Sequence, residues 1–210
     1  MYKLFLVALL TLTLQGCTTM DISSLSRPTP ELKIEEYFDG KVYAWGIFED
    51  RFGNIRRQFQ VEIDGTWDGK QLVLDEHFLY DDGERDRRIW TINKGSDGTY
   101  SGTADDVLGE AQGLSQGNSL NWRYELDLPV GDGTWRVTFD DWMILQEGGV
   151  LLNRAYVKKW GFRLGSVTLS FQRAEQLQAV PFSISEVAKE RPVLAASDRL
   201  VRYPSSLDAH

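Results

Sequence analysis

The sequence predicts an all-β domain, because two patterns recur along most of its 210 residues. Apolar and polar residues alternate with a period of two, which is typical of strands that have one buried face. Short turns rich in Gly, Asn and Asp separate these runs about every dozen residues, which indicates hairpins rather than parallel strands joined by helices. An open meander would expose its two edge strands. We therefore predict an antiparallel meander closed into a lipocalin-like (calycin-like) up-and-down barrel, with an open sandwich as the alternative.

The alternation is clearest over residues 118–128, where Leu120, Trp122 and Tyr124 are separated by polar residues. No helical period competes with this pattern before residue 173. The predicted strands are 32–38, 41–51, 55–64, 70–80, 86–93, 98–104, 106–113, 118–128, 134–145 and 149–158, with 162–172 as an optional eleventh.

The polar faces of these strands carry Glu62, Asp64, Arg123, Glu125 and Asp127. A charged side chain that faces lipid at the middle of a bilayer costs about 2–4 kcal/mol. We therefore predict that the outer wall of the barrel faces water.

The N-terminus indicates an export signal that is cleaved before Cys17, the only cysteine of the sequence. Lys3 precedes an apolar run over residues 4–14, which is shorter than the roughly 20 residues that cross a bilayer. The string Leu14-Gln15-Gly16-Cys17 resembles the lipobox of bacterial lipoproteins. This resemblance implies a diacylglycerol thioether on Cys17 and an acyl group such as palmitate on its amino group.

Thr18 follows the predicted cleavage site where an aspartate often marks retention in the inner membrane. We therefore predict a lipid-anchored protein of the outer membrane that faces the periplasm. The predicted organisation is a signal peptide over 1–16, a lipidated tether over 17–31, a barrel over 32–173 and a loosely attached, irregular tail over 174–210.

Composition argues against several classes of function. The net charge of −8 repels nucleic acid phosphates, and no stripe of Lys and Arg reverses it locally. His77 and His210 are the only histidines, too few for a His-rich metal site, and no phosphate-binding loop or nucleophile elbow is present. We predict no nucleic-acid partner, no metal and no cofactor, and the sequence names neither a catalytic residue nor a protein partner.

Six strings carry a family resemblance. They are AWGIFEDRFG at 44–53, LDEHFLYDDGE at 74–84, RIWTI at 88–92, GEAQG at 109–113, FDDWM at 139–143 and LNRAYVKKWG at 152–161. Together they resemble the proteobacterial lipoprotein family catalogued as domain-of-unknown-function family 3833, over roughly residues 35–173. The resemblance implies no established activity. Members of that family tend to be encoded near enzymes that modify membrane fatty acids, which is context for a lipid hypothesis.

The candidate site consists of charged residues that the alternation places on the same strand face as apolar residues. They are Arg57, Glu76, Arg88, Asp141 and Arg154. An unpartnered buried charge costs several kcal/mol, so the charges must pair inside a barrel. In one interpretation the three arginines pair with the two carboxylates in a structural network. In the other, at least one arginine is free to bind an anionic headgroup or carboxylate with its planar fork.

Three functions remain open. The first is a binding module for a fatty acid or phospholipid, with an apolar lining along the ligand chain formed by Trp90, Trp122, Phe139 and Tyr156. The second is an envelope interaction protein with a filled barrel and an exposed aromatic patch around Trp142 or Trp160. The third and least supported is a lipid-acting enzyme that uses Glu76, Asp141 or His77 as acid or base. Alternation places His77 on the outer face with Asp75.

Overall fold

A computed structural model describes residues 20–130 and 133–185 of the chain. Ten antiparallel strands follow one another around a closed barrel, and the last pairs with the first. The strands are β1 Gly40–Asp50, β2 Ile55–Trp67, β3 Gln71–Tyr80, β4 Arg85–Lys94, β5 Thr99–Thr103, β6 Ala111–Gln116, β7 Ser119–Val130, β8 Gly133–Leu145, β9 Leu151–Lys159 and β10 Phe162–Arg173. The predicted fold class is confirmed.

The inner face of the barrel is the core, because alternate residues of each strand point to opposite faces. Along β7, Leu120, Trp122 and Tyr124 are buried in the core. Two glycines make room for the largest of these side chains. A Cβ atom at Gly102 would lie 2.9 Å from the indole of Trp122, and one at Gly113 would lie 2.5 Å from it. Close approach of an aromatic ring is therefore the reason for glycine at both positions.

The predicted first strand, 32–38, is wrong. This segment contains a single helical turn, α2 Ile34–Tyr37, which follows α1 Ile22–Leu25. Ile34, Tyr37 and Phe38 are spaced at i, i+3 and i+4, a helical period that buries all three. The predicted eleventh strand is real and is β10, so the strand count of the barrel remains ten.

The barrel has two ends, which are distinguished by the turns they carry. At the cap end lie α2 and the turns at 68–70, 95–98, 117–118 and 146–150. At the rim end lie the turns at 51–54, 81–84 and 160–161 and the longer loop 104–110. Loop 104–110 replaces most of the predicted strand 106–113, of which only the last part belongs to β6.

The predicted tether is packed against the barrel from its first described residues. Ile22 is buried, and the backbone N–H of Arg27 donates to the Asn118 side chain at 2.7 Å. The described part of the predicted tail is also attached to the barrel. The backbone N–H groups of Ile184 and Ser185 donate to the Glu62 carboxylate. The Glu62 carboxylate is buried beneath this first part of the tail.

Residues 1–19 and 186–210, and with them Cys17, lie outside the described residues. Among the described residues, no helix has the length and apolar character needed to cross a membrane.

Candidate functional site

The barrel encloses a cavity of about 140 Å³, counted as the space that the centres of water molecules can occupy. By the same measure one water needs about 10–15 Å³, so the cavity has room for a larger molecule. Ile34 and Phe38 line it from the cap end, where α2 acts as a lid. Phe48, Arg57 and Tyr80 line it toward the rim end.

Aromatic rings form much of the apolar wall. Trp90 contacts Trp122 edge to face with centroids 5.6 Å apart, and it contacts Tyr124 at 5.3 Å. Tyr124 in turn stacks on Phe139 at 5.1 Å. Trp90, Trp122 and Phe139, which we predicted to line the lumen, all border the cavity. Their contact with a ligand stays a prediction.

Arg88 and Asp106 form an ion pair at the cavity wall. An Nη2–Oδ2 distance of 2.6 Å joins them, and the side chains are 11% and 20% exposed. Asp106 lies in loop 104–110, so the loop supplies the carboxylate that pairs with Arg88. Glu76 is opposite Arg88 across the β3–β4 ladder and lines the same cavity.

Arg57 is bound to the rim-end turn rather than to the cavity carboxylates. Its Nη2 lies 3.1 Å from Asp82 Oδ2 and 2.8 Å from Glu84 Oε2, and its guanidinium lies over the Tyr80 ring at 3.7 Å. Loops therefore supply the ion-pair partners of Arg57 and Arg88, and the predicted direct pairs with Glu76 and Asp141 do not form. Arg88 nevertheless lies close enough to Glu76 and Asp141 to oppose the rise of their pKa values.

The prediction that Arg154 and Tyr156 face the lumen is wrong. Arg154 is exposed on the outer wall, where it pairs with Glu49 at 3.7 Å. Tyr156 is opposite Ser166 in β10 and contacts the guanidinium of Arg163. The inward residues of β9 are instead Leu151, Asn153, Ala155 and Val157, all of which are buried.

Several buried polar atoms at the cavity have no hydrogen-bond partner among the described residues. They are Asp141 Oδ1, both side-chain polar atoms of Asn153, Arg88 Nε and the Tyr80 hydroxyl. An unsatisfied buried polar group costs about 1–3 kcal/mol, so native proteins seldom keep several close together without a reason. The cavity therefore combines an apolar wall with unpaired hydrogen-bonding groups. Sequence reasoning missed Asn153, because the wrong phase was assigned to β9.

Two carboxyl groups at the cavity prefer to be neutral. Burial raises the pKa of Glu76 to about 7 and that of Asp141 to about 8, and the nearby Arg88 only partly opposes the shift. Both groups can therefore act as hydrogen-bond donors below these values, as protonated carboxyls do.

These raised pKa values predict how stability depends on pH. Each native carboxyl holds its proton above the ordinary pKa of 4.5 or 3.8, so the native state binds more protons than the unfolded chain. The contribution of these two carboxyl groups to the free energy of unfolding should be fully present below about pH 4. It should fall, by an amount on the order of a few kcal/mol, as the pH rises through about 7 and 8.

Urea denaturation at several pH values checks this expectation. The double variant Glu76→Gln/Asp141→Asn should lose the decline, while Asp75→Asn, a change on the outer face beside Glu76, should keep it. An equally steep decline in the double variant would contradict the assignment.

His77 lies on the outer face, as predicted, with its Nε2 3.2 Å from Asp75 Oδ1. It is therefore separated by the barrel wall from Glu76 and Asp141. Within residues 20–130 and 133–185, no cluster of three or more His, Cys, Asp or Glu side chains has the arrangement of a metal site.

The fold and the site define a class of protein: a closed β-barrel whose interior cavity has a mostly apolar wall and a few polar groups. A family model described as a protein of unknown function (DUF3833) matches residues 11–173, and the chain belongs to that family. No curated protein matches the chain.

Proposed function

We propose that this protein is an outer-membrane lipoprotein whose barrel binds the acyl chain of a fatty acid. The supporting observation is the enclosed apolar cavity with unpaired polar atoms on Asn153, Asp141 and Arg88. A ligand with a long apolar body and one polar end matches both parts of this lining.

The polar end of the ligand would be a carboxylate. Arg88 Nε and the Asn153 amide are donors without partners, and a carboxylate is an acceptor. Arg88 keeps its charge while its Nη2 holds Asp106. Glu76 and Asp141 do not repel such a ligand while they remain protonated. Binding should therefore weaken as the pH rises through about 7 and 8.

Access to the cavity would come from the rim end, because α2 closes the cap end. Only residues 18 and 19 separate Cys17 from Met20. If Cys17 is acylated, this link spans at most about 10 Å. The anchor would therefore keep the barrel close to a bilayer, the store from which an acyl chain is drawn.

Displacement of a fluorescent fatty-acid probe by oleic acid tests the proposal. Asn153→Leu should weaken oleate binding about tenfold or more, because it removes two of the unpaired polar atoms. The same substitution should leave stability equal or higher, since leucine buries no unsatisfied group. Arg154→Met is the matched control on the outer wall and should bind like the wild type.

Lipid extraction of the purified protein distinguishes the alternatives. Recovery of a phospholipid instead of a fatty acid would correct the ligand. If no acyl ligand is recovered and oleate does not displace the probe, a role as an envelope interaction protein becomes the better hypothesis. The cavity counts against a completely filled barrel. An enzyme is less supported, because His77 does not share the cavity.

A further inference from the structure

Four exposed apolar side chains lie on two neighbouring turns of the rim end. Phe52 is 69% exposed, Ile55 57%, Trp160 86% and Phe162 75%. The turns are adjacent because β1 pairs with β10 as far as Asp50 and Gly165. Turn 51–54 follows Asp50 directly, and turn 160–161 lies just beyond Phe162, the first residue of β10. We call these four residues the rim patch. Exposed apolar side chains gathered on neighbouring turns mark an interaction surface more often than scattered single residues do.

Trp160 is strained as well as exposed. Its φ is +51° and that of Gly161 is +82°, so both residues of this two-residue hairpin turn are left-handed. Such turns strongly prefer Asn, Asp or Gly, whereas tryptophan is unfavourable at φ above zero. Neither the backbone nor the burial of the indole explains a tryptophan here. Strain and exposure together indicate a role outside the folding of the barrel.

Cations surround the rim patch. Arg51 lies over the Phe52 ring at 4.7 Å, and Lys159 lies over the Trp135 ring at 3.8 Å and over the Trp160 ring at 4.6 Å. Arg163, next to Phe162, donates to Ser166. None of the three cations forms an ion pair with a carboxylate of the described residues 20–130 and 133–185.

The carboxylates next to the rim patch are already occupied by other arginines. Glu49 pairs with Arg154 at 3.7 Å, and Asp50 pairs with Arg56 at 2.7 Å. The rim patch is therefore locally basic on a chain with a net charge of −8. Among the described residues, turn 81–84 borders turn 51–54 across the β2–β3 ladder, and its Asp82 and Glu84 are held by Arg57. Loop 104–110 carries further acidic residues on the far side of the barrel, between β5 and β6.

We infer that the rim patch docks on the surface of a bilayer that contains anionic phospholipid. Tryptophan and phenylalanine with adjacent Lys and Arg are the residues that favour the membrane interface. Unpaired cations add attraction to anionic headgroups, and their long side chains reach those headgroups while the rings enter the apolar boundary. Loop 104–110, across the barrel from the rim patch, would tilt away from the surface. This inference does not depend on the ligand proposed for the cavity.

Vesicle sedimentation tests the inference with the mature chain, residues 17–210, carrying Cys17→Ser so that no acyl anchor contributes. It should bind vesicles made of equal parts phosphatidylcholine and phosphatidylglycerol, and bind pure phosphatidylcholine much more weakly. Trp160→Asn should reduce binding to the anionic vesicles by about tenfold. Because asparagine accepts a left-handed backbone, the same variant should be no less stable to urea than the wild type.

Lys159→Gln/Arg163→Gln should reduce binding and weaken its dependence on salt. Leu114→Ala/Leu152→Ala is the control, since these leucines are exposed but lie on β6 and β9 away from the rim patch. The inference is overturned if neither vesicle binds, or if Trp160→Asn binds as well as the wild type. Self-association that is lost in Trp160→Asn without vesicle binding would overturn it in favour of a protein partner. Fatty-acid binding by Trp160→Asn should be unchanged, so failure here is separate from failure of the proposed function.

Discussion

Replacing Arg88 with methionine should lower the free energy of unfolding by about 3–5 kcal/mol, the usual cost of removing one partner from a buried ion pair. Asp106 would keep its charge at the cavity wall without the guanidinium that lies 2.6 Å away. Glu76 and Asp141 would also lose the cation that partly offsets the rise of their pKa values. The pKa values of Glu76 and Asp141 should then rise further. The loss of stability with rising pH should be larger as a result. Urea denaturation at several pH values measures both effects.

The neighbouring residue supplies the control. Arg87 forms a bidentate ion pair with Asp75 on the outer face, and the Arg87 side chain is 44% exposed. Arg87→Met should therefore cost less than about 1 kcal/mol, as exposed pairs do. Arg88→Met/Asp106→Leu should recover much of the stability lost in Arg88→Met, because it leaves no unpaired charge at that contact. Equal losses in Arg87→Met and Arg88→Met would show that the cavity pair is not desolvated.

The fold was predictable because most strands carry apolar residues on one face only. In β7 the inward residues Leu120, Trp122 and Tyr124 alternate with polar residues, so a single phase fits the sequence. Closure of the barrel followed from the need to pair the edge strands. The helical turn α2 was missed because its four residues are too short for a period to stand out, and the lid acts through contacts across the barrel end.

The candidate site was predictable only in part, and β9 shows the physical reason. Leu151 and Leu152 are adjacent, and so are Tyr156 and Val157, so apolar residues occur on both faces. The inward face is set by pairing with β8, which places Ala155 opposite Asp141. Such a register depends on residues far apart in the chain. The same holds for the partners of the arginines, because loops brought close by the barrel supply Asp106 and Asp82.

Replacing Cys17 with alanine should move the protein from the membrane fraction to the soluble periplasmic fraction. The proposed thioether and amide would carry several acyl chains, and two or more chains anchor a protein stably where one does so only marginally. In cell fractionation, the wild type should stay with the outer membrane through a high-salt wash. Any residual binding of Cys17→Ala through the rim patch should be removed by that wash, because electrostatic attraction is screened by salt. Thr18→Ala is the matched control and should stay anchored. Salt-resistant membrane attachment of Cys17→Ala would exclude the anchor. Oleate binding by Cys17→Ala should be unchanged, because the barrel cavity is built from residues 34–171.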